Sequence, residues 1–447
     1  MLKRLNENSI FEELYCLILM LIAFLFYCIS SLAGMIIILL IAILSLILFK
    51  DFKYIIPCLL YFMFSNSNNF DKAKLPIPLF ICGVIFIVIL IVFMIKNKTN
   101  FSQMKSAKGI LLLGIAGVFP ILWHNIIKEG EEVLYLLYLG YLFFFMVYAI
   151  FAGSLKKDCF SILYKAMTYL GILIALECAF NVLMIHFEKP NENIFNFWYY
   201  IGWGLCNEAG IMMCFCLPFS FISIIKANKN YKVLLGFLKA AFITLGMLLT
   251  TSRGTILFGL IELAILAIYT LIVSKKRICI AITYFCVIIA MLVICQCMFG
   301  INNIIADIKE YVFFLDLSDN GRFGLWNQAI NLWKQDFVRM TFGSGIVAEF
   351  LPDSYRYVVY HSTFFQVLAT MGNLGVAFII IHFVEKYKQL KVFDKSTIGI
   401  LLIGYLVVDL YGMLDNTYGM YYYMIPLMIV MAVIDVKAFH NKQIISI

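Results

Sequence analysis

The sequence predicts an all-α integral membrane protein, a polytopic bundle of about 12–14 transmembrane helices with one large extracytoplasmic loop. Three observations predict it. Of the 447 residues, 64% are hydrophobic and only 13% are charged, whereas a soluble domain needs polar residues to cover its surface. Apolar runs of about 17–25 residues, long enough to cross a hydrocarbon core, recur from end to end. Between these runs the lysines cluster, as positive charge does in cytoplasmic loops.

The first run, 12–30, follows Lys3, Arg4, Glu7, Glu12 and Glu13. It continues past the apolar region of a signal peptide with no small-residue cleavage site, and reads as a retained helix. Further runs occupy 32–49, 54–64, 77–95, 109–123, 132–152, 160–185, 209–225, 233–250, 254–273 and 278–298. The third is short enough to be re-entrant. After the loop at 299–360, the runs resume at 361–383, 397–411 and 419–436. The expected domains are therefore 1–298, 299–360 and 361–447. In the loop, Phe323, Trp326, Ile330 and Trp333 recur at helical spacing. They predict an amphipathic helix, lying on the membrane or packed on the bundle. Gly343-Ser344-Gly345 permits a tight turn or a close backbone approach to a ligand.

Basic clusters mark the inner side: Lys96, Lys98, Lys105 and Lys108; Lys156 and Lys157; Lys226, Lys229 and Lys232; Lys275, Lys276 and Arg277; Lys386, Lys388, Lys391 and Lys395. Both termini are then cytoplasmic. The net charge of +8 belongs to loops that meet anionic lipid heads, not to nucleic-acid binding. The 13 cysteines lie mostly inside apolar runs. Cys214/Cys216 and Cys295/Cys297 have no accompanying His or further Cys, so neither disulfides nor zinc are expected. No D-x-D motif occurs, and neither metal nor cofactor is predicted. All five tryptophans (Trp123, Trp198, Trp203, Trp326 and Trp333) fall at or beyond the outer interface, which suits stacking on sugar rings.

Only six of the 34 basic residues are arginine, and four of these, Arg253, Arg322, Arg339 and Arg356, are predicted on the outer side. A guanidinium fork grips two phosphate oxygens at once. Arg253, in Thr250-Thr251-Ser252-Arg253-Gly254, starts a helix whose free N–H groups favour anions, or else it snorkels. Arg322 begins the loop helix. Arg339 and Arg356 flank the glycine turn, and all three are otherwise solvated charges. His361 opens the next run and is suited to proton exchange, or is structural. His382 and His440 fall on the cytoplasmic side, and His124 and His186 at outer run ends without a motif. Glu129-Gly130-Glu131-Glu132 reads as a solvated turn in preference to a divalent-cation site. Glu177, Glu262 and Asp409 lie inside apolar runs, where charge is costly and often functional. They support the alternative of a lipid-linked oligosaccharide flippase or proton-coupled transporter, unless they are protonated or paired. No internal repeat, the usual companion of alternating access, is visible.

Four stretches, in this order, resemble the bacterial O-antigen ligase and polysaccharide polymerase family. They are Gly204-Leu205-Cys206-Asn207-Glu208-Ala209-Gly210 with Pro218 downstream, Ser252-Arg253-Gly254, Gly321-Arg322 through Trp326 with Gly343-Ser344-Gly345, and His361-Ser362-Thr363-Phe364-Phe365-Gln366 continuing to Gly372 and Gly375. The resemblance covers about residues 200–380; Cys206 departs from it, standing where the family often has proline. It implies a glycosyltransferase of the bacterial cytoplasmic (inner) membrane, working on the outer face. The donor would be a polyprenyl-pyrophosphate-linked oligosaccharide and the acceptor a glycan hydroxyl. On this reading His361, Arg253 and Arg322 are catalytic. Arg339, Arg356, Asn207, Glu208, Ser252, Gly345 and Trp326 bind substrate. A polymerase is preferred over a ligase; the Lys- and Ile-rich composition points to an AT-rich genome, which favours neither acceptor.

Overall fold

The structure is a computed structural model. It describes residues 9–29, 31–66, 77–122, 139–189, 199–202, 204–274, 276–286, 289, 322–345, 347–351, 354–357 and 359–445. Trp123, Trp198, Trp203, His124, the Glu129–Glu132 cluster, Cys295, Cys297 and the loop up to Gly321 lie outside the described residues.

The chain is helical, with two short antiparallel ribbons. Nine helices among the described residues are long and apolar enough to span a membrane. They are α1 (Ser9–Cys28), α4 (Ile77–Lys96), α7 (Phe160–Glu188), α8 (Cys206–Ile225), α9 (Asn230–Leu249), α10 (Arg253–Val273), α14 (Thr363–Lys388), α15 (Lys395–Leu414) and α16 (Tyr421–Ile445). Shorter apolar helices fall on the remaining predicted runs: α2 (Ala33–Phe49), α3 (Ile55–Phe62), α5 (Lys108–Val118), α6 (Gly140–Ser154) and α11 (Arg277–Cys286). The loop contributes α12 (Arg322–Trp333) and α13 (Phe337–Phe342). It also contains a hairpin, β3 (Val347–Leu351) with β4 (Ser354–Tyr357), which the helical spacing did not foretell. The other ribbon is β1 (Tyr200–Ile201) with β2 (Gly204–Leu205). The chain forms an all-α polytopic membrane protein.

Two compact units interleave along the sequence. The first draws on 1–99, 159–315 and 393–408. At its centre α8 is buried on nearly every face, as a uniformly apolar helix must be. Small residues let its neighbours approach. Gly171 of α7 faces Cys216 and Ile243, Gly246 of α9 faces Ala175, and Gly210 of α8 faces Thr255 of α10. Such contacts replace the hydrophobic drive that lipid removes. At one end Glu12 accepts from Lys53 and Lys165, both at 2.9 Å, and Glu13 pairs with Lys239.

The second unit draws on 100–158, 316–392 and 409–447. Asp435 of α16 accepts the amides of Lys105 (2.9 Å) and Ser106 (2.7 Å) and the hydroxyl of Tyr148. This fastens α16 to the entry of α5. Lys386 and His382, assigned to the cytoplasmic side from sequence, are both fully buried. Lys386 is not a loop charge: its ammonium donates to both oxygens of Asp409 at 2.6 Å. A carboxylate and the Tyr418 hydroxyl within reach outweigh the pull of solvent. Asp409 is thus one of the paired acids.

Helix α14 is not one straight span, as the run at 361–383 suggested. Gly372 leaves helical geometry at φ 61°, ψ −157°. A Cβ on Gly375 would lie 3.0 Å from Val367 Cγ1, although residues eight apart in a straight helix are about 12 Å apart. The arms 363–371 and 373–388 therefore fold back on each other. The bend deprives the carbonyls of Ala369 and Thr370 of their helical donors. The glycine turn supplies replacements: the Ser344 amide bonds Ala369 O (2.7 Å) and the Gly345 amide bonds Thr370 O (3.0 Å). Gly343 and Gly372 meet back to back. A Cβ on Gly343 would lie 2.3 Å from backbone atoms of Thr370 and Met371, and one on Gly372 2.6 Å from those of Thr341 and Gly343. Gly372→Ala should therefore lower unfolding stability in detergent by at least about 2 kcal/mol, strain and overlap combined. Gly83→Ala, where a Cβ meets nothing within 4 Å, should be neutral or stabilising.

Candidate functional site

In the second unit, Arg322 and His361 converge on a residue the sequence reading did not single out. Asp415 follows the last turn of α15. His361 Nδ1 donates to Asp415 Oδ1 (3.1 Å), and Arg322 Nη2 lies 3.9 Å from Asp415 Oδ2. The Asn416 amide also donates to Oδ1 (2.8 Å). Asp415 is almost buried, while the side chains of His361 and Arg322 remain 40% and 33% exposed. A carboxylate only accepts hydrogen bonds. The imidazole N–H therefore sits on Nδ1, and Nε2 carries the lone pair. Arg322 is held electrostatically at a distance too long for a hydrogen bond, so among the described residues Asp415 does not tie up its donors. It is also the first residue of α12, where helix N–H groups add partial positive charge.

The backbone at His361 has φ 47°. A non-glycine residue in this left-handed region costs on the order of 1 kcal/mol, and such outliers gather at functional sites. The strain is held by its neighbours. The Tyr360 amide donates to Gln366 Oε1 (3.0 Å), and the Trp326 indole N–H donates to Tyr360 O (2.9 Å). Trp326 stacks on Phe365 at 5.0 Å. Ala329, Tyr360 and Ala369 form a small core that Leu325, Leu332 and Phe365 cover. The packed face of α12 is thus Leu325, Trp326, Ala329 and Leu332. Phe323, predicted on that face, is 58% exposed.

Of the remaining loop residues, Arg339 and Gly345 have partners of their own. Arg339 bonds Asp336 (2.9 Å), the N-cap of its own helix, on the surface. Gly345 spends its amide on Thr370. Arg356 lies in β4 opposite Ala348; its side chain lies outside the described residues.

In the first unit, the contact of Gly210 with Thr255 sets the N-terminus of α8 beside that of α10. Asn207 and Glu208 occupy the first turn of α8, and the Glu208 carboxylate accepts the Leu205 amide. Ser252 caps α10, its hydroxyl accepting the Thr255 amide (3.4 Å). Arg253 begins α10 and directly follows this cap. Thr251 stands at φ 55°, an outlier for a β-branched residue. Glu177 and Glu262 are fully buried in this unit. Glu177 lies against the Gly202 amide and Glu262 against the Cys214 thiol, with no ion pair to a cation among the described residues.

Residues 210–380 match the family model described as O-Antigen ligase. The chain carries an O-antigen ligase-like domain. No curated protein matches the chain. The domain runs from the second turn of α8 into the second arm of α14, and it contains Arg253, Arg322 and His361 but not Asp415. It supports ligase- or polymerase-type function in general, and the nine long apolar helices among the described residues support a multi-span membrane protein.

Asp415 escaped the sequence reading because it lies in a short connection between two runs. Its signal was a turn, Asp415-Asn416-Thr417-Tyr418-Gly419, with polar residues buried where a loop should be wet. Trp326→Phe, losing one indole hydrogen bond, should cost about 1 kcal/mol of unfolding stability. Trp326→Ala, losing the ring as well, should cost about 3 kcal/mol, both read by scanning calorimetry in detergent.

Proposed function

We propose that this O-antigen ligase-like protein is a glycosyltransferase building surface polysaccharide, and specifically a polymerase. In this reading it acts at the outer face of a bacterial cytoplasmic membrane with both termini inside. It transfers an oligosaccharide from polyprenyl pyrophosphate to a sugar hydroxyl of a glycan acceptor. The observation that carries the reading is Asp415 shared between His361 and Arg322. The acceptor hydroxyl gives its proton to His361 Nε2 as its oxygen bonds the anomeric carbon. The bond from that carbon to the pyrophosphate breaks, and the departing diphosphate takes the electron pair. Asp415 holds the imidazole tautomer and stabilises the imidazolium. Arg322 meets the charge that develops on the diphosphate, and preorganised donors of this kind serve without a metal.

Arg253 and Asn207 are proposed as further phosphate or sugar contacts on their own grounds, a guanidinium and a carboxamide in the first turns of two neighbouring helices, whose N-termini favour anions. Ser252, Glu208, Trp326, Gly345 and Arg339 already have caps, stacks or ion pairs to maintain.

Purified protein should lengthen a polyprenyl-pyrophosphate-linked repeat into a ladder of products. A single transfer onto a different acceptor would instead mark a ligase. His361→Ala should slow either reaction by at least about 100-fold, and Asp415→Asn by at least about tenfold. Arg322→Lys keeps the charge, loses the fork and should still lose about tenfold. Full elongation by His361→Ala overturns the base assignment. The buried Glu177 and Glu262 favour a second reading, transport of a lipid-linked sugar. That reading requires transport in sealed vesicles that is abolished by Glu262→Gln and indifferent to His361→Ala.

A further inference from the structure

The turn that carries Asp415 is tied to both arms of the bent helix. Thr417 reaches the first arm: its hydroxyl lies 3.1 Å from that of Thr363, and its amide donates to Thr363 Oγ1 (3.2 Å). Tyr418 reaches the second arm, its hydroxyl accepting from Lys386 Nζ (2.8 Å). Its ring stands edge-on to Phe383 at 5.1 Å and to His382 at 5.6 Å. Thr363 and Lys386 would be more than about 30 Å apart on a straight helix, yet consecutive residues hold them both.

Each tie is enclosed. Thr363, Thr417, Tyr418 and Lys386 are all buried. A Cβ on Gly412 would lie 2.5 Å from Thr417 Oγ1 and 3.2 Å from Thr363 Oγ1, so the last turn of α15 seals the hydroxyl pair. Lys386 is fully committed: two of its three N–H groups go to Asp409 and the third to Tyr418. Asp409 also accepts from the Tyr387 and Tyr418 hydroxyls. Breaking one member of such a buried ion pair costs several kcal/mol, so the anchor under Tyr418 is stiff. Asp415 sits two residues before Thr417, and His361 two before Thr363. The first tie therefore sets the separation of the two partners directly. The second sets the angle between the arms.

We propose that Thr417 and Tyr418 are positioning residues for the His361–Asp415 pair, forming a strap across the open end of α14. The proposal deepens the reading of that pair as the reactive base. It predicts that cutting the strap frees the imidazole without unfolding the protein.

The test uses full-length protein in detergent. The rate at which diethyl pyrocarbonate modifies His361 is followed by mass spectrometry beside the unfolding midpoint. Tyr418→Phe keeps the ring and removes the hydroxyl, and should raise the His361 rate several-fold at a temperature where the protein stays folded. Tyr148→Phe removes another buried tyrosine–carboxylate bond in the same unit, to Asp435, and should leave that rate unchanged. If Tyr418→Phe does not fold, Thr417→Val cuts the other tie and carries the same expectation. An unchanged His361 rate in the folded strap variant overturns the proposal, and so does an equal rise in Tyr148→Phe. With a lipid-linked donor, kcat should fall while KM for the donor holds. Loosened His361 without transfer by the parent protein would sink the glycosyltransferase reading and leave the strap standing.

Discussion

The close approach of two glycines, Gly343 and Gly372, is the constraint on which the second unit rests. Neither position has room for a Cβ, so backbone crosses backbone. That crossing turns one apolar stretch into two short arms. It exposes two helix carbonyls, and the amides of Ser344 and Gly345 take them up. The loop is therefore not draped on the helix but hydrogen-bonded into its bend. Because α12 and α13 lead into this turn, the same crossing fixes where Arg322 starts and where His361 ends the loop.

From that geometry the charge distribution follows. One nearly buried carboxylate, Asp415, faces an imidazole on one oxygen and a guanidinium on the other. The imidazole bond sets the tautomer. The longer guanidinium separation is electrostatic and not a hydrogen bond. Strain at His361 is borne by the packed Tyr360, Trp326 and Gln366 around it. In the first unit the pattern is repeated in miniature, with a strained Thr251 ahead of the capped helix that begins at Arg253. Both arginines of main interest thus open helices.

Buried charge elsewhere is governed by pairing. Lys53 and Lys165 share Glu12, and Lys386 shares Asp409 with two tyrosines. Desolvating either partner alone is expensive, so each is tolerated only where the other is already placed. A lysine count along the chain cannot distinguish Lys386, buried in such a pair, from Lys388 two residues on. The same reasoning separates Asp409, which has a cation, from Glu177 and Glu262, which have an amide and a thiol beside them.

The amino-acid sequence by itself determined the class of fold and the position of nearly every described helix. Apolar length is a local property and lipid leaves a backbone few other choices. It also marked Arg322 and His361, because a cation at a helix start and a histidine at a run boundary are local signals. Only tertiary structure decided that α14 folds back, that Lys386 and His382 are buried, and that Asp415 joins Arg322 and His361. Those outcomes depend on contacts between residues tens of positions apart. A missing side chain at Gly343 has no meaning until Gly372 lies against it.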